Sequence, residues 1–294
     1  MSGIQVHVRV RPHAETVWAT ADTVIFMYNR VHGVATSNAT LFHEIEPCVH
    51  SAFDGKNVTV MAYGQTGSGK THSMIGTNQD LGVIGRVARL LVDLKESRPD
   101  TTICASYVEI YNESVRDLMD AEKREANLRD GPDNTIIFDR SSTPIRNFDE
   151  FCTLAERAER SRQYGVTDMN EHSSRSHIIL TFEISRGGRK SSISLVDLAG
   201  SESASRANTD GQLLREGGFI NRSLLALGNV VDAIVDNRTH IPYRESKLTR
   251  ILRNCLGGNG LTFIVCCLNP TKENFDQTVA SLRFAQRAMK IRND

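Results

Sequence analysis

Residues 64–71 read Gly-Gln-Thr-Gly-Ser-Gly-Lys-Thr, and their types and spacing describe a loop built to hold phosphate. Gly64, Gly67 and Gly69 let backbone N–H groups turn inward toward phosphate oxygens, with Gln65, Thr66 and Ser68 between them. Lys70 can then reach the β- and γ-phosphates, and the Thr71 hydroxyl can ligate Mg²⁺. A glycine-rich turn with no ligand is the rival reading, and the flanks weigh against it. An apolar run, Val58 to Tyr63, leads in, and no helix breaker follows until Gly76. Downstream, Asp197-Leu-Ala-Gly200 closes a second apolar run. An aspartate there can hold Mg²⁺ through water, and the Gly200 N–H can meet a γ-phosphate. Taken alone, that tetrapeptide is explained as well by an ordinary strand-end turn. The chain has no Asn-Lys-x-Asp element of the kind that reads guanine, so ATP is the expected nucleotide.

The elements that must position these residues follow from periodicity. Strands are expected at Ile4 to Val10, Asn57 to Tyr63, Thr101 to Tyr111, Ile178 to Ile184, Ser191 to Leu198 and Leu261 to Leu268. Helices are expected at Val83 to Ser97 and at Asn147 to Tyr164, where Asn147 and Glu150 suit a capping box. Further helices are expected at Ile220 to Val235, Glu245 to Leu256 and Asn274 to Ile291. The alternation predicts an α/β fold, a central mixed and mostly parallel β-sheet with helices on both faces. The motifs span most of the chain and must converge on one site, so residues 1–294 read as one domain.

Composition narrows the partners. Lys+Arg and Asp+Glu balance at 35 each, against the globally basic make-up of a nucleic-acid binder. No apolar run approaches the ~18 residues of a membrane span. The opening Ile-Gln-Val-His-Val-Arg-Val does not read as a signal leader. Six cysteines without Cys-x-x-Cys spacing suggest reduced core thiols of a cytoplasmic protein.

Longer motifs carry a resemblance. Asn170-Glu-His-Ser173-Ser174-Arg175-Ser176-His177 resembles switch I of the kinesin motor domain, and Asp197-Leu-Ala-Gly-Ser201-Glu202 resembles its switch II. Val8-Arg9-Val10-Arg11-Pro12, Tyr107-Val-Glu-Ile-Tyr111-Asn112-Glu113, Asn221-Arg-Ser-Leu-Leu-Ala-Leu-Gly228 and Pro242-Tyr-Arg-Glu-Ser-Lys247-Leu-Thr-Arg250 follow the family order. The resemblance covers essentially the whole chain and implies a P-loop NTPase of the kinesin/myosin type. It implies that Ser174 helps Thr71 and Asp197 hold Mg²⁺, that Ser173 contacts the γ-phosphate region, and that Arg175 pairs with Glu202 to latch the switches. Glu202 would also relay a proton from the attacking water. Arg9, Arg11 and Pro12 would wall the adenine. Tyr63 or His72 would supply a stacking face, unless Tyr63 is a buried strand-end aromatic and His72 a partly exposed helix residue.

The implied partner is the microtubule, whose surface is acidic. Within 240–253, Arg244, Lys247, Arg250 and Arg253 face only Glu245. On a helical wheel Leu248, Ile251, Leu252 and Cys255 form one stripe, with the basic residues on the flank and opposite side. Arg222 joins them through the 221–228 motif. Charge pattern alone is explained better by a solvated helix face; the resemblance reverses that. The resemblance thus implies a microtubule-stimulated ATPase cycling ATP and ADP, on the cytoskeleton. Ser161-Arg-Gln-Tyr-Gly165 resembles kinetochore-associated kinesins, which would place it on the spindle. Rival readings are a microtubule-binding module with a degenerate nucleotide site and an ATP-dependent microtubule-end destabiliser. Three departures from the family pattern stand out: a short stretch between Pro12 and the phosphate loop, Ser203 where a basic residue is common, and a chain stopping at Asp294 before a neck linker. Dimerisation would run through regions outside these residues.

Overall fold

The computed structural model describes residues 2–12, 27–77, 79–122, 124–131, 136–163, 174–202 and 211–293, with backbone alone for 2, 163 and 211–221. The strands are β1 (Ser2–Gly3), β2 (Gln5–Val10), β3 (Arg30–His32), β4 (Val58–Tyr63), β5 (Thr101–Tyr111), β6 (Ser114–Asp117), β7 (Leu128–Asp130), β8 (Ile136–Phe138), β9 (Thr143–Pro144), β10 (His177–Arg186), β11 (Arg189–Asp197), β12 (Leu261–Leu268) and β13 (Arg292–Asn293). The α-helices are α1 (Asn38–Phe53), α2 (Lys70–Met74), α3 (Val83–Glu96), α4 (Phe148–Gln163), α5 (Gly211–Val235), α6 (Lys247–Ile251) and α7 (Phe275–Ala288).

A mixed sheet runs in the order β3-β2-β12-β4-β11-β10-β5-β6, with β9 beside β5. Its β3-to-β11 half is parallel, and the pairings from β11 through β10 and β5 to β6 and β9 are antiparallel. The inner parallel strands β12 and β4 are covered on both faces. All six residues of β4 are buried, as are all but the first of β12, which is why both read as continuous apolar runs rather than alternating ones.

Side-chain alternation along the strands separates two cores. Val58, Val60 and Ala62 of β4 point toward α1, α3 and α4, where Leu41, Ile45, Val87, Leu91, Phe151 and Leu154 are buried. Met61 and Tyr63 point the other way, toward Leu224 and Leu227 of α5, Leu248 of α6 and Ala285 of α7. Helices therefore cover both faces, as the sequence predicts.

Two helix expectations need correction. The helix expected from Ile220 starts at Gly211. The one expected over 245–256 is broken into a 3₁₀ turn (Tyr243–Glu245), α6 and a second 3₁₀ turn (Arg253–Cys255). Ser246 is extended and caps α6 by accepting from the Leu248 N–H at 3.0 Å. Further on, the Cys255 carbonyl is taken by the Thr262 hydroxyl at 2.6 Å and the Asn293 amide at 3.2 Å, so it cannot extend a helix. Helix α1 escaped the sequence reading although Ser37 caps it and Leu41, Ile45, Val49 and Ala52 line its buried face. The six cysteines are free, as expected, with Cys255, Cys266 and Cys267 buried and Cys48, Cys104 and Cys152 partly so.

Candidate nucleotide site

The phosphate loop leaves β4 at Tyr63 and enters α2 at Lys70, the strand-loop-helix order its chemistry needs. Gly64 has φ +147°, and a Cβ there would overlap the Cys267 carbonyl and the Ser68 hydroxyl. No larger residue lets the loop lie this close to β12. Gly69, at φ +98°, turns the chain so that Lys70 begins the helix.

Beside the loop lies a cavity of about 700 Å³ lined by residues 66–73, Arg9, Arg11, Pro12, Thr36, Asp80 and Ser174, within the size range of ligand pockets. Lys70 is buried, and its ammonium donates to the Gly64 and Gln65 carbonyls at 2.8 and 2.9 Å. Burial lowers its pKa, opposed by Asp197 and Glu202. The Thr71 hydroxyl donates to Asp197 Oδ2 at 2.8 Å. Asp197 Oδ1 is buried and finds no hydrogen-bond partner among the described residues. Burial raises the Asp197 pKa, opposed first by Lys70.

Around this centre the 197–202 segment is tied to Ser174 and to the phosphate loop. The Gly200 N–H donates to the Ser174 carbonyl at 2.9 Å, and the Ser201 N–H to the Gly64 carbonyl at 3.1 Å. Glu202 is held by Thr66: one carboxylate oxygen accepts from the Thr66 N–H at 2.7 Å and the other from its hydroxyl. The Glu202 carboxylate is thus turned to the phosphate loop rather than to Arg175. Residues 170–173, including Ser173, and 203–210 lie outside the described residues.

Arg9 and Arg11 line the cavity, and each is also engaged by the fold. The buried Arg9 guanidinium donates to Asn38 Oδ1 (2.5 Å), Ser73 Oγ (2.9 Å) and the Thr36 carbonyl (3.0 Å), stapling β2 to α1 and α2. Arg11 donates to the Gly67 carbonyl. Of the two aromatic candidates only His72 borders the cavity. Tyr63 needs correction, because the alternation of β4 turns it to the opposite core. There its ring stacks on Phe284 with centroids 4.0 Å apart, and burial pushes its phenol pKa up.

Sequence reasoning assigned no role to several residues that hold the site. His177 is buried at the start of β10; its Nδ1 accepts from the Ala199 N–H at 3.0 Å, and its Nε2 lies 2.8 Å from Ser223 Oγ. The accepting Nδ1 fixes the tautomer, so Nε2–H donates to Ser223. Burial, with Lys70 nearby, pushes its pKa down to about 3. Arg162, buried near the end of α4, donates to Ser176 Oγ at 3.0 Å and sits 3.6 Å from Glu109. Asn38, Thr36 and Asp80 come from a stretch with no motif, and only their convergence in space reveals them.

The basic segment is more committed than its charge suggests. Arg244 is exposed but pairs with Asp130 at 2.8 Å; the Arg250 side chain is only 19 % exposed and reaches the same carboxylate at 3.4 Å. Arg253 lies over the Tyr243 ring at 5.2 Å. Lys247 is half-buried, its N–H donating to Glu113 at 2.7 Å. Arg222 is exposed on α5.

Among known proteins, a family model described as the kinesin motor domain matches residues 6–291. The rice (Oryza sativa subsp. japonica) kinesin-like protein KIN-14C is 38% identical over 283 residues, covering 91% of this chain and 29% of its own length. The human chromosome-associated kinesin KIF4B is 40% identical over 292 residues, covering 91% and 24%. The chain thus spans less than a third of these relatives. A solved structure of a fast kinesin superposes with TM-score 0.92 at 32% identity, covering 99% of this chain and 92% of that one. A KIF14 segment solved as a dimer with AMP-PNP on a microtubule gives TM-score 0.88 at 30% identity, covering 99% and 95%. With the family model matching residues 6–291 and these relatives and structures aligned over nearly the whole chain, the chain belongs to the kinesin motor domain family.

Proposed function

We propose that residues 1–294 form one motor domain that hydrolyses ATP, is stimulated by microtubules, and couples its nucleotide state to microtubule affinity. The observation that carries the nucleotide half is Thr71 donating to Asp197 beside the buried Lys70, with Asp197 Oδ1 left without a partner. A buried carboxylate oxygen with an idle lone pair, next to a hydroxyl and a phosphate loop, fits Mg²⁺, which Thr71, Asp197 and Ser174 would hold. When bound, Mg²⁺ neutralises charge developing on the β- and γ-phosphate oxygens.

The protein's own groups do the rest. Backbone N–H groups of 64–71 cradle the phosphates, and Lys70 exchanges its carbonyl partners for β/γ oxygens. Arg11, Pro12 and His72 border the base, with Arg9 holding that wall in place. Capture of the Gly200 N–H by a γ-phosphate oxygen would release the Ser174 carbonyl, so the second switch would report the third phosphate. Glu202 would leave Thr66 for Arg175, closing both switches and placing its carboxylate to relay a proton from the attacking water, positioned with Ser173. The 203–210 segment joins this motion to α5. Arg222, Arg244, Lys247, Arg250 and Arg253 are the proposed contacts with the acidic track. Family membership and a structural relative solved on a microtubule support that partner. The implied setting is the microtubule cytoskeleton.

Steady-state ATPase with and without stabilised microtubules, using Glu202→Ala as control, tests the proposal. Strong stimulation in the parent and its loss in the variant is the expected result. Microtubule binding without turnover would overturn the hydrolytic half. Turnover untouched by microtubules would overturn the track half.

A further inference from the structure

A second cavity, of about 270 Å³, lies on the α5–α7 side of the sheet, away from the phosphate loop. Its floor, where Thr59, Ser194 and Thr181 line it, is part of a longer row of hydroxyls. Thr262 pairs with Thr59, Thr59 with Ser194, Ser194 with Thr181, and Thr181 with Ser106. Five adjacent strands thus place hydroxyls in one line on one face, because registered neighbours point the same way. Two residues further along the same strands, that face is filled by Ile179, Met61, Val196 and Ile264.

Some of these hydroxyls are spoken for. Thr262 donates to the Cys255 carbonyl at 2.6 Å, and Ser192, beside the row, donates to Asn57 at 3.1 Å. Thr181 and Ser194 bond each other at 3.1 Å. A pair of hydroxyls holds two hydrogens and four lone pairs, and one mutual bond uses one of each. One donor and three acceptor sites therefore remain on adjacent atoms. Ser106, at the end of the row, is 1% exposed and its hydroxyl finds no partner among the described residues.

The walls have the opposite character. Ile136 and Phe138 of β8 line the cavity, while Ile137 between them is half exposed. Leu252 and Cys255 close another side. Among the described residues the one charged lining side chain is Arg140, which pairs with Glu183 at 2.6 Å and lies over the Phe138 ring at 4.7 Å. Its charge is already answered, so among the described residues the cavity has no unpaired ion to offer.

We propose that this cavity is a binding site for a small uncharged molecule bearing a carboxamide on a flat apolar body. An amide carbonyl accepts the one hydrogen that the Thr181–Ser194 pair has left, and its NH₂ donates to the free lone pairs of the same two oxygens. The apolar body lies against Phe138 and Ile136. A carboxylate in the same place brings a charge with no free cation to meet it and has no hydrogen to donate.

The test uses the full chain and benzamide as probe, read by saturation-transfer NMR and by crystals soaked with the same compound. Benzamide is expected to bind with a Kd of about 1 mM, as suits a fragment of its size. In the map its amide should lie on Thr181 and Ser194, and benzoate should give no transfer. Thr181→Val with Ser194→Ala should weaken benzamide by about tenfold. Phe138→Ala removes wall area without touching the floor and should also weaken it. Only ordered water in the soaked crystal, equal binding of benzoate, or an unchanged Kd in the hydroxyl double variant with a native melting curve would each overturn the assignment.

Discussion

Replacing His177 with Gln changes how acid destabilises this protein. In the folded chain the imidazole is 2% exposed, accepts from Ala199 and donates to Ser223, and it resists protonation down to about pH 3. Once unfolded it regains an ordinary pKa near 6.5. The unfolded chain therefore binds a proton between about pH 6.5 and 3 that the folded chain does not, and stability falls as pH drops through that window. At pH 5 the gap is about 1.5 units below the unfolded value, which is worth about 2 kcal/mol. His7, buried against His32 and pushed down to about 4, adds a loss of similar size at that pH. His177→Gln keeps one acceptor and one donor but removes the titration. Urea unfolding of parent and variant at pH 7.5 and at pH 5 isolates the effect. The parent should lose about 2 kcal/mol more than the variant between the two conditions. Equal losses would show that His177 is protonated in the native state, or that the Ala199 and Ser223 contacts do not hold it neutral.

Three further outcomes follow from the same geometry. Tyr63→Leu should lower the melting temperature by removing the Phe284 stack, worth about 1 kcal/mol, while leaving fluorescent-ADP affinity within about twofold; His72→Ala should do the reverse. Arg9→Ala strands Asn38, Ser73 and the Thr36 carbonyl and should cost about 2–4 kcal/mol in urea unfolding. Lys should not rescue it, because one ammonium cannot replace a planar fork. Asp130→Ala releases Arg244 and Arg250 and should tighten microtubule co-sedimentation at low salt by up to about fivefold, an advantage that added salt removes.

Much of the fold was legible because its strands are buried on both faces. Thr101–Tyr111 and Leu261–Leu268 match the expected bounds to the residue, since long β-branched and aromatic runs between polar breaks admit few other readings. The 245–256 segment misled because its apolar spacing does suit a helix. It breaks where Ser246 is extended and where Leu252 leaves helical geometry, and at its end the Cys255 carbonyl is taken by Asn293, far away in sequence, which no local pattern encodes. The site divides the same way. The contiguous 64–71 motif made the phosphate loop legible, because its geometry is fixed by neighbours in the chain. The grip of Asn38 on Arg9, the turn of Glu202 onto Thr66 and the burial of Tyr63 against Phe284 are products of packing. Strand parity alone could have settled Tyr63, given which face of β4 the nucleotide approaches.

The cysteines carry a consequence for how the molecule opens. Burial raises the Cys255 thiol to about 12 and pushes Cys266 and Cys267 up as well, and the last two sit in mid-sheet on β12 beside β2 and β4. A thiol reagent needs both access and a thiolate, and these two gain neither unless β12 separates from its neighbours. Cys48, Cys104 and Cys152 lie nearer solvent. Five of the six thiols therefore form two kinetic classes, an early one reporting surface fluctuation and a late one, Cys266 and Cys267, timing the parting of the central sheet. Mass-resolved alkylation of the unmodified chain reads both, and any ligand that knits the phosphate loop to β12 should lengthen the second interval while leaving the first unchanged.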